Sequence, residues 1–305
     1  MIAWIVAGQG AEHAGMGLEL AQSYAPAAEL WERASDAASK DLLQLSEVGG
    51  RALLRTKYLQ PALTAVALGA ASFLLDEGVE PLMALGHSAG EVGALALAGH
   101  MSFDDACELS AKRGRAMAVA ARAEPGGMAA VRGSEATLRD VVAQGAKAGA
   151  IFNAGQTTVD THLVTGERAA LRAAAAADGV SPLPVSGPWH SPLMEDAAAS
   201  LRPSAESVIE EATRTTAWVS NETAERGPGD AGVTIELFLA QLTRPMKLHQ
   251  SIEFLLEEGV DDMVVLGPHH ALRHILKRHL DERPNVRVHG SSSLHELRTI
   301  VRELA

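Results

Sequence analysis

Short, wholly apolar runs alternate along the chain with longer stretches in which apolar residues recur every three or four positions. The runs at 2–7, 83–85 and 263–266 are too short for helices and read as strands buried on both faces. A further strand is expected at 216–221. Helical spacing marks 16–38, the core run 61–75, 103–121 and 235–242, with a Gly/Pro loop at 226–232. Apolar strands bounded on both sides by helices predict a parallel sheet covered on both faces, hence an α/β core.

The texture changes at Pro125-Gly126-Gly127. From there short strands at 128–131, 148–153 and 162–164 alternate with amphipathic helices at 134–144 and 167–177, the pattern of an inserted α+β unit. After residue 185 the core texture returns. This divides the chain into a large α/β subdomain, 1–124 with 186–305, and a small one, 125–185, with a cleft between them.

Composition narrows the function. Of 305 residues, 47% are hydrophobic and 21% charged, which suits a folded protein with one large core, and the 4% aromatic share leaves Ala, Leu and Val to fill it. The balance of 26 basic against 38 acidic residues, a net charge of -12, opposes binding to nucleic acid or to an anionic membrane, and neither partner is expected. A single cysteine, Cys107, excludes an internal disulfide, and its place in a helical pattern suits a buried small apolar residue. No basic residues precede the first apolar run, which reads as a strand rather than a signal peptide. The run 61–75 is too short for a membrane span, so a cytoplasmic protein is expected.

Candidate chemistry centres on Gly86-His87-Ser88-Ala89-Gly90-Glu91, between an apolar strand and a small-residue helix. Gly86-x-Ser88-x-Gly90 fits a nucleophile elbow, in which a sharp turn lifts the serine hydroxyl clear of the backbone at the positive end of the following helix. Taken alone, the pattern also fits an ordinary glycine turn. Gly8-Gln9-Gly10 closes the first strand, and it either ends there or lends a second N–H to an oxyanion. His190, held between Pro188 and Pro192, can serve as a general base, so activity should fall as pH drops through the ordinary histidine range. His269, His270, His274 and His279 lie on one helical segment. His270 and His274 are spaced to share a zinc ion, but with no glutamate between them and Arg273, Lys277 and Arg278 interleaved, the segment reads as a solvated basic helix, and no metal is expected.

Several separated stretches together resemble one family. Gly8-Gln9-Gly10, Gln60-Pro61-Ala62-Leu63, the elbow, Arg113-Gly114, Gly127-Met128-Ala129-Ala130-Val131, His190-Ser191-Pro192-Leu193-Met194, Ser220-Asn221, Gln241-Leu242-Thr243-Arg244-Pro245 and Leu266-Gly267-Pro268 are similar, in order, to the malonyl-CoA:acyl-carrier-protein transacylases and the trans-acting acyltransferases of polyketide assembly lines. The resemblance implies an α/β-hydrolase-like large subdomain with a ferredoxin-like insert, and ping-pong transfer of an acyl unit from coenzyme A to the phosphopantetheine thiol of an acyl carrier protein. It implies that Ser88 is nucleophile and His190 base, then acid. The backbone N–H groups of Gln9 and Ala89 would form the oxyanion hole, and the Gln241 carbonyl would orient the histidine. Arg113 would bind the malonyl carboxylate, a task suited to a planar fork. Trp189 would fill space near the acyl α-carbon, and His87, Met117 and Asn153 complete the expected substrate-binding set.

The coenzyme A thioester is a substrate; no bound cofactor is implied. An acidic carrier needs a local basic rim on an acidic enzyme, and Lys112, Arg115, Arg244 and Lys247, which neighbour motif residues, are the candidates. Two features depart from the family. Gly187-Pro188-Trp189-His190 matches neither usual selectivity signature, and Asn153-Ala154-Gly155-Gln156 lacks the usual proline. Alternative readings are a proofreading acyl hydrolase, which would lack Arg113, and the malonyl-transfer subunit of a malonate decarboxylase.

Overall fold

The computed structural model describes residues 1–281 and 283–305. Nine strands are present among them: β1 (Ile2–Val6), β2 (Met83–Gly86), β3 (Gly126–Arg132), β4 (Ile151–Thr158), β5 (Thr161–Glu167), β6 (Val180–Pro182), β7 (Ala217–Val219), β8 (Asp262–Leu266) and β9 (Arg287–Gly290). They form two sheets.

The larger sheet runs β7-β2-β1-β8-β9 with every pair parallel. β1 is its centre, with Ala3 opposite Met83 on one side and Met263 on the other. β2 and β8 are buried at every residue, as expected for strands covered on both faces. The smaller sheet is antiparallel, in the order β4-β5-β3-β6. With the helices Glu135–Gly145 and Arg168–Ala174 it follows the chain as β-α-β-β-α-β, the split arrangement of ferredoxin-like units. It has its own small core, which includes Val131, Leu138, Val141 and Val164. The α/β class expected from sequence is the one observed.

The apolar run read as 61–75 belongs to a longer helix, Thr56–Asp76, of 21 residues. Its length therefore does not argue against a membrane span, contrary to the sequence reading. Its burial does. The helix packs against Ala25–Ala38 and Phe103–Ala123, with 78% of its most apolar window inside the protein. Cys107 is fully buried in Phe103–Ala123, and burial pushes its thiol up to about 12.

The smaller sheet meets the larger unit just after the helix Ala231–Thr243. Met246, just after it, donates its N–H to Ala154 O at 3.0 Å and accepts from Gln156 N at 3.3 Å, so the edge of β4 is stitched to the loop that follows Gln241. A Cβ on Gly155 would run into Met246 O, so the approach requires glycine.

Candidate active site

Ser88 leaves the end of β2 with a left-handed backbone, φ 51°, an uncommon conformation for a residue with a side chain. A one-turn 3-10 segment, Ser88–Gly90, leads into the helix Glu91–Leu97. The crowding explains both glycines: a Cβ on Gly86 would strike Glu91 N, and one on Gly90 would strike Val6 O at the end of β1. Gly8 faces His87 O in the same way, so the Gly8-Gln9-Gly10 turn lies directly against the elbow. Glycine at 8, 86 and 90 is thus the condition for packing two loops and a helix start around one serine.

His190, also left-handed at φ 58°, places Nε2 2.8 Å from Ser88 Oγ. Its Nδ1 lies 2.8 Å from Gln241 O. A carbonyl only accepts, so Nδ1 carries the proton, and Nε2 is left bare to accept from the serine hydroxyl. A backbone carbonyl thus orients the imidazole. Burial pushes the His190 imidazole down to about 4, with the charges of Arg113 and His87 acting in the same direction. At neutral pH it is an unprotonated base.

Arg113 is fully buried on Phe103–Ala123. Its Nη1 donates to Gln60 Oε1 at 2.8 Å and its Nη2 to Gln241 Oε1 at 2.9 Å, while Nε has no partner among the described residues. Gln241 Nε2 in turn donates to Ser88 O at 3.1 Å. One glutamine therefore touches the arginine, the serine and the histidine. Burial lowers Arg113 to about 10, which leaves it charged at neutral pH. Met117, one turn further along the same helix, accepts from Gln60 Nε2 at 3.2 Å through its sulfur.

Three supporting groups lie in stretches named from sequence, but the sequence reading gave them no role. Gln60, a buried amide in an otherwise apolar helix, fixes one side of Arg113. Asn221 donates through Nδ2 to Gly86 O at 2.7 Å and holds the elbow from behind. Glu91, fully buried, accepts from Asn221 N at 3.3 Å, and burial raises its carboxyl to about 8. A buried polar side chain inside an apolar run was the legible signal for Gln60 and Glu91; for Gln241 only its carbonyl was expected, whereas its side chain does as much.

Of the other expected residues, some flank the elbow and others lie away from it. Gln9 is half-buried, with Oε1 accepting from Thr56 Oγ1 at 3.2 Å; Ala89 is buried in the elbow, and His87 is lowered to about 4 by burial. Trp189 sits in the main core against Gly187, outside the hydrogen-bonded group around Ser88. Asn153 is exposed on β4, folds back on Gly155 N at 2.9 Å, and lines a separate cavity of about 350 Å³ with Gln156, His162 and Met246. Among the rim candidates, Lys112 pairs with Glu108, Arg115 donates to Ala37 O and Arg244 to Glu222, while Lys247 is exposed. The basic-helix reading needs correction: His270 and His274 are exposed, but His269 and His279 are buried and engaged with Glu296 and Glu253.

A serine, a carbonyl-oriented histidine and a buried arginine joined through one glutamine form a unit suited to acyl transfer from an anionic acyl group. The family model for the acyl transferase domain matches residues 3–295. The chain belongs to the acyl transferase family. This acyl transferase is 32% identical over 288 residues to the malonyl CoA-acyl carrier protein transacylase of Salmonella typhimurium, covering 92% of this chain and 93% of that one. It superposes on the solved malonyl-CoA:acyl carrier protein transacylase of Xanthomonas oryzae pv. oryzae with a TM-score of 0.91 and 29% identity, covering 100% of this chain and 98% of that one. It superposes equally well on a malonyl-transacylase solved with a type II PKS acyl-carrier protein, at a TM-score of 0.90 and 26% identity over 99% of both chains.

Proposed function

We propose that this enzyme moves a malonyl-type acyl unit from coenzyme A to the phosphopantetheine thiol of an acyl carrier protein through an acyl-Ser88 intermediate. The observation that carries the reading is the Arg113–Gln241–Ser88–His190 linkage, which ties an anion-binding group to the nucleophile–base pair. The names of the relatives support it.

Ser88 passes its hydroxyl proton to His190 Nε2 as Oγ bonds to the thioester carbon. The oxyanion that forms accepts from the N–H groups of Gln9 and Ala89, beside the positive end of Glu91–Leu97. The carbon–sulfur bond then breaks, and His190 returns the proton to the departing coenzyme A thiolate. The carrier thiol repeats these steps in reverse, giving up its proton to His190 and releasing Ser88. Arg113 engages only two of its five N–H groups with the glutamines, which leaves Nε and the remaining Nη hydrogens for a carboxylate. Malonyl groups meet that requirement and acetyl groups do not. The cleft between the large subdomain (1–124 with 186–305) and the small one (125–185) holds the acyl group, and no bound cofactor is needed. Service is cytoplasmic, in fatty-acid or polyketide synthesis.

Intact-mass spectrometry after brief mixing with malonyl, methylmalonyl and acetyl coenzyme A tests the reading. A malonyl adduct is expected on the wild type, absent in Ser88→Ala and selectively reduced in Arg113→Ala. Free coenzyme A accumulating without an adduct or a carrier would mean hydrolysis instead.

A further inference from the structure

Away from Ser88, three donor side chains from two helices meet where the smaller sheet abuts the larger unit. His249 and Glu253 stand one turn apart on Leu248–Glu257, and His279 projects from His270–Leu280. One donor atom from each lies within 4.8 Å of the other two.

The surroundings of these donors are specific. His279 is buried, with Nδ1 2.8 Å from Glu253 Oε1 and Nε2 donating to Thr157 O on β4 at 2.9 Å. A carbonyl on the far nitrogen fixes the ring with Nδ1 turned inward, as the outer partners of metal-bound imidazoles do. The second Glu253 oxygen accepts from Arg283 Nη2 at 2.8 Å, which orients the carboxylate. His249 brings its ring within 4.9 Å of the His279 ring, yet its Nδ1 is buried with no hydrogen-bond partner. His162, on β5, also has a buried Nε2 without a partner among the described residues.

We infer that His249, Glu253 and His279 form a structural site for a zinc-class divalent cation. Two imidazole nitrogens and a carboxylate suit zinc, with a water left to complete a tetrahedral shell. Binding displaces the proton shared by His279 Nδ1 and Glu253, while Nε2 keeps its hydrogen bond to Thr157 O. The ion ties helix Leu248–Glu257 to helix His270–Leu280 and holds in place the His279 ring that bonds Thr157 O of the smaller sheet. The site is separate from His270 and His274, the pair that sequence spacing brought forward.

The test is titration of chelator-stripped full-length protein with Zn²⁺ by calorimetry, with Co²⁺ absorption reporting tetrahedral coordination. One equivalent should bind and raise the thermal midpoint. His249→Gln removes a nitrogen that has no hydrogen bond to lose, so it should fold as the wild type does yet bind zinc at least about tenfold more weakly, the loss that even an outer partner costs at such sites. Glu253→Gln should weaken binding as well, and Ser88→Ala should leave it unchanged. Absence of saturable one-to-one binding, equal binding in His249→Gln, or loss of binding in a His270→Ala, His274→Ala double variant would overturn the assignment.

Discussion

Gln241 holds three partners at once: its carbonyl accepts from His190, its Oε1 accepts from Arg113 and its Nε2 donates to the Ser88 carbonyl. Gln241→Leu keeps the first bond and removes the other two. Malonyl loading should therefore fall by about 5- to 150-fold, the cost of leaving a buried charged donor short of a partner (about 1–3 kcal/mol), while acetyl loading falls less. Comparison of the two single-turnover rates checks this. For His190, lowered by burial to about 4 from the usual 6.5, the neutral form that accepts the Ser88 proton persists on acidification. Acylation should stay level down to roughly pH 5 and drop only toward pH 4, below the range expected from sequence. Half-loss near 6.5 in a stopped-flow pH series would contradict it. Ser88, His190 and Arg113 were legible because each sits in a distinctive local string. The side-chain roles of Gln60, Gln241 and Glu91 were not, since they depend on contacts between residues far apart, 128 positions in the case of Arg113 and Gln241. Asn153 sits in a string that resembles the family loop, yet its side chain lines a cavity apart from Ser88.

The elbow is the element whose geometry tolerates least. Gly90→Ala would push a methyl into Val6 O at the end of the central strand, and should cost about 1–3 kcal/mol in chemical denaturation together with most of the acylation rate. Glu91, in the first turn of the following helix, has its folded value raised to about 8 against an ordinary 4.5. Its contribution is fully present below 4.5 and is lost as pH rises through 8, because the unfolded chain gives up the proton first. His87 and His190, lowered to about 4, slope the other way, but only below 6.5. Between pH 6.5 and 8 the wild type should therefore lose stability relative to Glu91→Gln, which carries no proton to lose; parallel urea curves across that interval would refute it. Strands and helices with a strong period, such as β1, β2, β8 and Phe103–Ala123, were visible in the sequence. The three-residue β6 and the edge strand β9, with its charged and half-buried residues, were not, because neither presents an apolar run.

At the scale of the whole molecule, a net charge of -12 confines any acidic partner to a local basic patch. Arg244 and Lys247 follow the helix that carries Gln241, and both are exposed. Reversing both charges should raise the KM for the carrier several-fold, more at low salt than at high, and leave loading from coenzyme A intact; unchanged carrier kinetics would remove them from the docking surface. The α/β class and the inserted unit could be inferred from texture alone, whereas the order β7-β2-β1-β8-β9 could not, since apolar runs do not say which strands become neighbours. That order bears on how the protein is made. β1 leaves the ribosome some 260 residues ahead of one of its two flanks, β8, which pairs Asp262 with Ile2. Until then the central strand keeps an open, apolar edge, and the long Thr56–Asp76 helix waits for part of its cover. Nascent chains arrested before β8 should be recovered bound to holding chaperones and cut readily by protease, and those extended past β9 should resist cleavage.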